Sequence, residues 1–488
     1  MTAKRQSRVT GALALMFAQA LVLLLGYITH PWVGRVLGPE VYGIYGVVLA
    51  VQSIAGILLT LGVPISISRF VARHEDQAQS ILKQTIRLQA AVAALVGIAT
   101  LLLAPLIAHL LKDDSLTHLI QFVALVIFLQ AFYMVFTQFF SGLHKFNWQA
   151  LLTSFYAVIK LVGAISLIYF IGVYGAFAGF ALGGLAAAAL GWWWSRNVPG
   201  KKPSEIRTHD FLAFASTYVL IVMGLQLIMS LDLFMVKALL ASDVEAGFYN
   251  ASSTIARIPY MLLQAIAFIL LPSVSALTKP GASRDKAAAF ISDTLRYLIA
   301  LIVPSVALAA ATSKSLITLF FSSRYTPAAS SLTILIIGLG ALAFFLLIAN
   351  IVAGAGRAKV GLAVTIAMLV ISAAAGAFLI PQFGLLGAAW QTTITGLIGL
   401  ATLSAYTFKT FRIPLPIRST INILIASAAA VGVTYLWQAT PLTLIPQYVL
   451  AGIVYLAVLL LLREVKPSDR HLLAKIHPRL KWVAPIQE

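Results

Sequence analysis

The chain has 488 residues, of which 60% are hydrophobic and only 10% are charged, and its formal net charge is +19. Soluble domains carry about 25% charged residues, so this composition predicts a chain for which lipid is the main solvent. The sequence contains no cysteine, which excludes disulfides, thiolate metal sites and cysteine nucleophiles.

Apolar runs of roughly 20 residues, the length that a helix needs to cross the hydrocarbon core of a bilayer, recur along the chain. The six runs before a polar stretch at 196–210 are 10–33, 41–63, 86–110, 117–140, 148–170 and 174–195. The eight runs after it are 211–239, 246–271, 287–312, 328–350, 357–380, 384–406, 418–437 and 445–463. The sequence therefore predicts an all-α polytopic membrane protein with about fourteen transmembrane helices and no folded extramembrane domain.

The lysine and arginine residues alternate with the predicted spans. If the N-terminus is cytoplasmic, 26 of the 34 lie in inner segments, 5 in outer segments and 3 within spans. This is the positive-inside pattern, and it predicts a multi-pass protein of the cell inner (cytoplasmic) membrane with both termini in the cytoplasm. The net charge is then explained by topology and by attraction to anionic lipid headgroups, so no nucleic-acid partner is expected.

A weak internal repeat relates the two halves of the chain. At a shift of 212 residues, a Gly-x-x-Gly-Ala pattern at 172–176 recurs at 384–388, and at a shift of 204 a Gly-x-Tyr pattern at 43–45 recurs at 247–249. We expect two six-helix lobes of the same orientation around a central cleft, which is a transporter architecture. The predicted units are an N-lobe at 1–195, a cytoplasmic linker at 196–210, a C-lobe at 211–406, and two further helices with a cytoplasmic tail at 407–488. Chance similarity between Gly/Ala-rich helices is the alternative.

Residues 35–46, RVLGPEVYGIYG, resemble the opening signature of the polysaccharide transporter family, which belongs to the multidrug/oligosaccharidyl-lipid/polysaccharide exporter superfamily. The run 231–277, with Asp232, Arg257 and Pro272 as landmarks, resembles the seventh and eighth spans of that family. The resemblance implies fourteen helices in two lobes around a central cavity. It also implies a flippase that moves undecaprenyl-pyrophosphate-linked oligosaccharide across the cytoplasmic membrane by alternating access, for polysaccharide export and cell-envelope assembly.

Three cations lie deep within predicted spans: Lys160, Arg257 and Arg296. Ionisable groups at such depth are costly and are functional candidates by default, and an excess of cations suits an anionic ligand such as a pyrophosphate. The resemblance places an arginine of span 8 in the cavity, which corresponds to Arg257. Structural alternatives remain open, because Arg296 can pair with Asp293 one turn away and Lys160 can pair with a distant acid.

Four further residues complete the candidate substrate-binding cavity: Arg35, Asp232, Gln52 and Asn250. Arg35 and Asp232 lie nearer the predicted outside, where they can gate the outer mouth or form an interfacial salt bridge. Polar uncharged side chains within spans can hydrogen-bond sugar hydroxyls, or they can simply join helices. No catalytic residue and no metal site is predicted.

Four functions are weighed. The first is the oligosaccharide flippase. The second is a cation-coupled multidrug or small-molecule exporter of the same superfamily, which would need a buried acid, and the spans offer only Asp232 and Asp293. The third is a lipid II flippase, which the sequence barely distinguishes from the first. A membrane glycosyltransferase or polymerase would need external catalytic residues, and the Asp113-Asp114 pair is interpreted as a solvated turn. No P-loop occurs, so ATP hydrolysis by that route is excluded.

The flippase interpretation predicts a transporter without covalent catalysis and without a cofactor, and it leaves a coupling ion, H⁺ or Na⁺, open. Its expected partners are the lipid-pyrophosphate-linked glycan, membrane lipids, and polysaccharide polymerase or assembly proteins. We expect it to function as a monomer.

Overall fold

The structure is a computed structural model that describes residues 8–198, 200, 216–261, 263, 284–411, 416–437, 440 and 443–464. Nearly all of these residues are helical, and no strand occurs among them. Eleven helical segments of the described chain are long and apolar enough to cross a membrane. The predicted all-α polytopic fold is therefore confirmed.

The first two predicted spans form one element, α1 (Arg8–Leu61), that is interrupted at Gly38, where φ is 81° and ψ is 174°. A straight helix would hold His30 and Tyr45 about 22 Å apart, but their ring centroids lie 5.9 Å apart. The two halves of α1 therefore fold back on each other. Gly38 permits this turn because its positive φ is unfavourable for residues that carry a Cβ.

The rest of the N-terminal half consists of α2 (Val63–Arg73), α3 (Ala78–Leu110), α4 (Leu116–Gly142), α5 (Phe146–Ile171) and α6 (Val173–Ser195). The second half consists of α7 (Ser216–Leu240), α8 (Asp243–Ala256), α9 (Arg284–Ala311), α10 (Ser313–Phe320), α11 (Ala328–Gly354), α12 (Ala358–Phe383) and α13 (Leu385–Phe411). Two C-terminal helices follow, α14 (Ile417–Gly432) and α15 (Leu444–Leu461). The predicted eighth span, 246–271, begins in α8 and continues outside the described residues.

The hairpins α5–α6 and α12–α13 repeat the same local geometry. Gly172 turns the first with φ 57° and ψ −135°, and Gly384 turns the second with φ 57° and ψ −129°. One turn later, a side chain at Gly175 would overlap the backbone of Leu167, and one at Gly387 would overlap the backbone of Leu379. These contacts are related by the same shift of 212 residues that the sequence pattern shows.

The two halves of the chain meet at one end of the bundle, between the second half of α1 and α8. We call this the predicted outer end, because the charge distribution predicts that its loops lie outside. A Cβ at Gly43 would overlap the carbonyl oxygen of Asp243 and lie 2.8 Å from the backbone nitrogen of Gly247. At Gly247, a Cβ would overlap the carbonyl oxygen of Pro39. The repeated Gly-x-Tyr pattern therefore provides the close backbone approach that closes this end.

Candidate functional site

Two of the predicted cations, one from each half of the chain, act on the same histidine. Lys160 of α5 and Arg257, which follows α8, both act electrostatically on the imidazole of His30 in α1. The Lys160 ammonium lies 4.9 Å from the ring centre of Phe180 and 5.8 Å from that of Tyr156. Among the described residues no carboxylate pairs with it within 4.0 Å. Lys160 is thus a buried cation held by aromatic faces, with its charge available to a ligand.

The guanidinium of Arg257 is fixed on one side only. Its Nη2 donates to the carbonyl oxygen of Met229 in α7 at 2.6 Å, and its Nε has no partner among the described residues. Its charge also acts on Tyr27 of α1, in the other half of the chain. A backbone tether that leaves other N–H groups free orients an arginine for bidentate binding of a phosphate or carboxylate.

His30 lies between this cationic space and the closed end of the bundle. The Tyr42 hydroxyl lies 3.3 Å from His30 Nδ1 and 3.0 Å from the Thr254 hydroxyl of α8. Asn250, also on α8, donates from Nδ2 to the carbonyl oxygen of Tyr42 at 3.2 Å. The structure therefore places the predicted cavity residue Asn250 in the contact between the two halves, with its amide directed at backbone.

Arg35 also joins the two halves at the predicted outer end. Its Nε donates to the carbonyl oxygen of Phe320 at 2.9 Å, and its Nη2 donates to that of Leu319. These carbonyls belong to the last turn of α10, where a cation is favoured by the helix dipole. Beside it, the Tyr325 hydroxyl donates to the carbonyl oxygen of Gly34 at 2.8 Å. Arg35 thus contacts backbone rather than the Asp232 partner that the sequence suggested.

Asp232 is buried within the second half of the chain, where hydroxyl and amide donors surround it. Its carboxylate accepts from the Tyr249 hydroxyl at 2.7 Å, the Thr392 hydroxyl at 2.8 Å and the Leu233 backbone nitrogen at 2.7 Å. Hydrogen bonds from neutral donors can hold a buried carboxylate without a salt bridge. The alternative of an interfacial pair with Arg35 is not what the structure shows.

An ion-pair cluster around a buried lysine at the predicted outer end was not anticipated from the sequence. The Lys237 ammonium, whose side chain is 4% exposed, donates to Asp113 Oδ2 at 2.7 Å and also to Asp243. We call these three residues the outer-end latch, because Asp113 lies between α3 and α4 and the other two lie in the second half. The Asp113-Asp114 turn is solvated at Asp114, which is exposed, but Asp113 binds Lys237, a cation 124 positions away that the sequence did not suggest as its partner.

Replacing Asp113 with asparagine is expected to destabilise the closed state of the predicted outer end by about 1–2 kcal/mol. The equilibrium between the closed and the open state would then shift roughly 5- to 30-fold towards the open state. Spin labels at Leu110→Cys and Ser323→Cys, two exposed sites on opposite halves of the chain, would measure this opening. A larger fraction of the molecules would then show a long distance between the two labels. The same labels with Asp114→Asn are the matched control, because Asp114 has no contact with Lys237. An unchanged distance distribution in Asp113→Asn would remove the latch from the closing contact.

The latch also has a predictable pH dependence. Burial raises the pKa of Asp113, but hydrogen bonds from Lys237 and Ser115 outweigh this effect and hold the pKa below its ordinary value of 3.8. A depressed carboxyl pKa favours the paired state above the ordinary pKa and loses that contribution as pH falls through the depressed value. We therefore expect latch closure to be unchanged from neutral pH to about pH 5 and weakened only in strong acid.

Arg296 of α9 is bound to the segment that follows α15. Its Nη1 lies 3.5 Å from Glu464 Oε1 and donates to the Glu464 carbonyl oxygen at 3.1 Å. Its guanidinium also lies 4.8 Å from the ring centre of Tyr297. These contacts tie α9 to the segment after α15, beside a second tie in which the Tyr455 hydroxyl donates to the Ala300 carbonyl oxygen at 2.6 Å. The structure thus gives Arg296 an ion pair with Glu464, which the sequence did not predict.

We expect Arg296→Met to lower stability without removing transport. Losing one partner of a buried ion pair leaves a carboxylate without its counter-charge and costs about 3–5 kcal/mol. Thermal unfolding in detergent should therefore shift downwards, while the protein that remains folded transports at the normal rate. A loss of transport in folded Arg296→Met protein would return this residue to the site.

Gln52 lies in the N-terminal half beside a cavity of about 280 Å³. Its Nε2 donates to Gln130 Oε1 at 3.3 Å. Two aromatic residues that contact Lys160 also border this cavity, and they are Tyr156 and Phe180. Gln52 therefore lies close to the cationic space, on the side of the N-terminal half.

An apolar bundle with eleven described helical segments long enough to cross a bilayer has the architecture of a multi-pass membrane protein. The chain belongs to the family described as polysaccharide biosynthesis protein, which matches residues 9–278. The predicted polysaccharide family is thereby confirmed.

Solved structures show the same fold at low sequence identity. The lipid II flippase MurJ in an inward closed conformation has a TM-score of 0.73 and 17% identity, covering 93% of this chain and 99% of that chain. An inward-facing multidrug resistance MATE transporter of the MOP superfamily has a TM-score of 0.65 and 17% identity, covering 80% and 94%. A MOP superfamily transporter from Pyrococcus furiosus has a TM-score of 0.60 and 16% identity, covering 83% and 95%. A comparison with curated protein sequences finds no match.

Proposed function

We propose that this protein is a flippase that moves undecaprenyl-pyrophosphate-linked oligosaccharide across the cytoplasmic membrane for polysaccharide export. The observation that carries the proposal is a pair of cations, the buried Lys160 and the half-buried Arg257, which come from opposite halves of the chain and both act electrostatically on His30. The family match supports the polysaccharide pathway, and the similarity to MurJ supports a transporter fold that handles a lipid-linked substrate.

The barrier that such a protein lowers is electrostatic. A pyrophosphate and a hydroxyl-rich glycan lose their hydration in hydrocarbon, which is unfavourable by many kcal/mol. A cationic space between two helical bodies lowers this barrier, while the lipid tail stays in the bilayer. Because Lys160 and Arg257 come from different halves, an anionic headgroup bound between them draws the halves together and can bias their relative position.

Closure of the predicted outer end fits one step of alternating access. The glycine contact between α1 and α8 and the outer-end latch hold that end shut. The proposed scheme therefore has the substrate reach the cationic space from the predicted cytoplasmic side. Substrate would enter there, and release would require the latch, the Arg35 contact and the Asn250 contact to separate. In this scheme the termini and the linker at 196–210 are cytoplasmic, as the charge distribution predicts.

The direct test is a leaflet assay in proteoliposomes. A labelled undecaprenyl-pyrophosphate-linked oligosaccharide is incorporated, and its appearance in the opposite leaflet is followed with an impermeant sugar-modifying reagent. We expect purified protein to accelerate movement well above the rate in protein-free liposomes. A rate equal to that of protein-free liposomes, with folded protein present, would contradict the proposal. Movement of lipid II but not of other lipid-linked glycans would assign the narrower lipid II flippase function.

A further inference from the structure

The cavity beside Gln52 has the chemical character of a site for a neutral polyol. It lies between the second half of α1, α4, α5 and α6, and its approximate volume of 280 Å³ is near the lower end of known ligand sites. The lining residues share amide, hydroxyl and aromatic groups and include no charged side chain: Gln52, Ser53, Thr60, Gln130, Tyr133, Tyr156 and Phe180, with apolar residues and Gly56 between them.

The amide pair in this cavity is only half used. Gln52 is 3% exposed, and while its Nε2 donates to Gln130 Oε1 at 3.3 Å, its Oε1 has no partner among the described residues. The neighbouring hydroxyls are committed, since Ser53 donates to the Leu49 carbonyl oxygen and Thr60 to that of Gly56. A buried amide oxygen without a partner is unfavourable, so a ligand that donates a hydrogen bond to it is favoured.

The aromatic lining provides the second half of the recognition. The Tyr133 and Tyr156 rings stack with centroids 4.0 Å apart and an interplanar angle of 7°, and Phe180 adds a third ring to the wall. A sugar ring has apolar C–H faces that pack on aromatic rings and hydroxyls that both donate to and accept from amides. A planar apolar drug would leave the Gln52 oxygen without a partner, and an anion would meet that oxygen unfavourably.

The cavity adjoins the cation of the transport site. Lys160 contacts Tyr156 and Phe180, which both line the cavity. A pyrophosphate beside Lys160 and Arg257 would therefore place the sugar bonded to it at the entrance of the cavity.

We propose that this cavity is a sugar subsite that holds the single pyranose ring attached directly to the lipid pyrophosphate. The inference rests on the proposed function, because it presumes that the pyrophosphate lies at Lys160 and Arg257. The volume accommodates one ring, so the more distal sugars of the glycan extend away from it. Recognition then depends on the first sugar rather than on the whole repeat unit.

Gly56 offers a way to fill the cavity. It lines the cavity, and a Cβ built there meets no heavy atom within 4 Å. Gly56→Leu should therefore occupy the cavity without displacing backbone. Gly452→Leu is the matched control, because Gly452 of α15 is also open to a Cβ and lies far along the chain from the cavity. Gln130→Leu is a second variant that removes the amide partner and keeps the volume similar.

The experiment measures equilibrium binding of two lipids to purified protein, undecaprenyl pyrophosphate without sugar and the same lipid carrying the oligosaccharide. We expect Gly56→Leu and Gln130→Leu to weaken binding of the sugar-bearing lipid about tenfold, which corresponds to the loss of one or two hydrogen bonds. Binding of the sugarless lipid should stay unchanged, and Gly452→Leu should bind both lipids normally.

The outcomes separate the two proposals. Equal binding of the sugar-bearing lipid by Gly56→Leu, Gln130→Leu and the unmodified protein would overturn the subsite, as would an equal loss for both lipids. If the selective loss is seen but the unmodified protein moves neither lipid between leaflets, the subsite stands and the flippase proposal fails. If the unmodified protein binds neither lipid, both proposals fail.

Discussion

Replacing Arg257 with alanine is expected to slow movement of the pyrophosphate-linked lipid about 100-fold while the amount of folded protein stays normal. The guanidinium presents N–H groups that the described residues do not use. Each hydrogen bond to a charged group contributes about 1.5–3 kcal/mol. Losing one or two of them therefore weakens the binding of the pyrophosphate about 100-fold. The measurement is the leaflet assay, with protein level and thermal unfolding determined in parallel.

Two further variants make this result specific. Arg257→Lys keeps the charge but loses the planar fork, so we expect an intermediate rate. Arg418→Ala removes an arginine that is exposed at the start of α14, and we expect it to transport normally. Undiminished movement in Arg257→Ala would exclude Arg257 from the site, whereas equal losses in Arg257→Ala and Arg418→Ala would indicate a general effect of net charge.

The helical fold could be predicted because its cause is local. A run of about 20 apolar residues is sufficient to define a span, and the helices follow these runs closely. The exception is the turn between the first two spans. It depends on Gly38 and is too short to break the helical pattern, so both spans lie in the single element α1.

The candidate site could be predicted only in part. The depth of a residue within a span can be read from its neighbours in the sequence, but its ion-pair partner can be far away along the chain. Lys160 and Arg257 were found because ionisable groups are rare at such depth. The ion pair between Arg296 and Glu464 joins residues 168 positions apart, so the sequence does not indicate it. Lys237 likewise bonds Asp113 across 124 positions.

His30 was missed for a different reason. It lies within the first apolar run, and an imidazole there is an ionisable group that the same depth argument would have selected. The predicted set of deep ionisable residues holds only lysine, arginine and acidic residues, so it does not include His30. Its contact with Tyr42 and its electrostatic interaction with both cations depend on the fold, which joins residues from distant parts of the chain.

A disulfide across the predicted outer end is expected to stop transport completely. A Cβ at Gly46 would overlap the side-chain amide of Asn250, so adding one C–C bond puts the two β-carbons within about 4 Å, which matches disulfide geometry. The native chain has no cysteine, so Gly46→Cys/Asn250→Cys contains a single defined pair. Oxidation would lock α1 to α8 and prevent this end from opening.

The leaflet assay on this double variant tests alternating access through the cationic space most directly. The two single-cysteine variants serve as controls, since their rates should not respond to oxidant. We predict that oxidation of the double variant reduces movement of the pyrophosphate-linked lipid to the protein-free rate and that a reductant restores it. Full movement while mass spectrometry shows the disulfide intact would contradict the account.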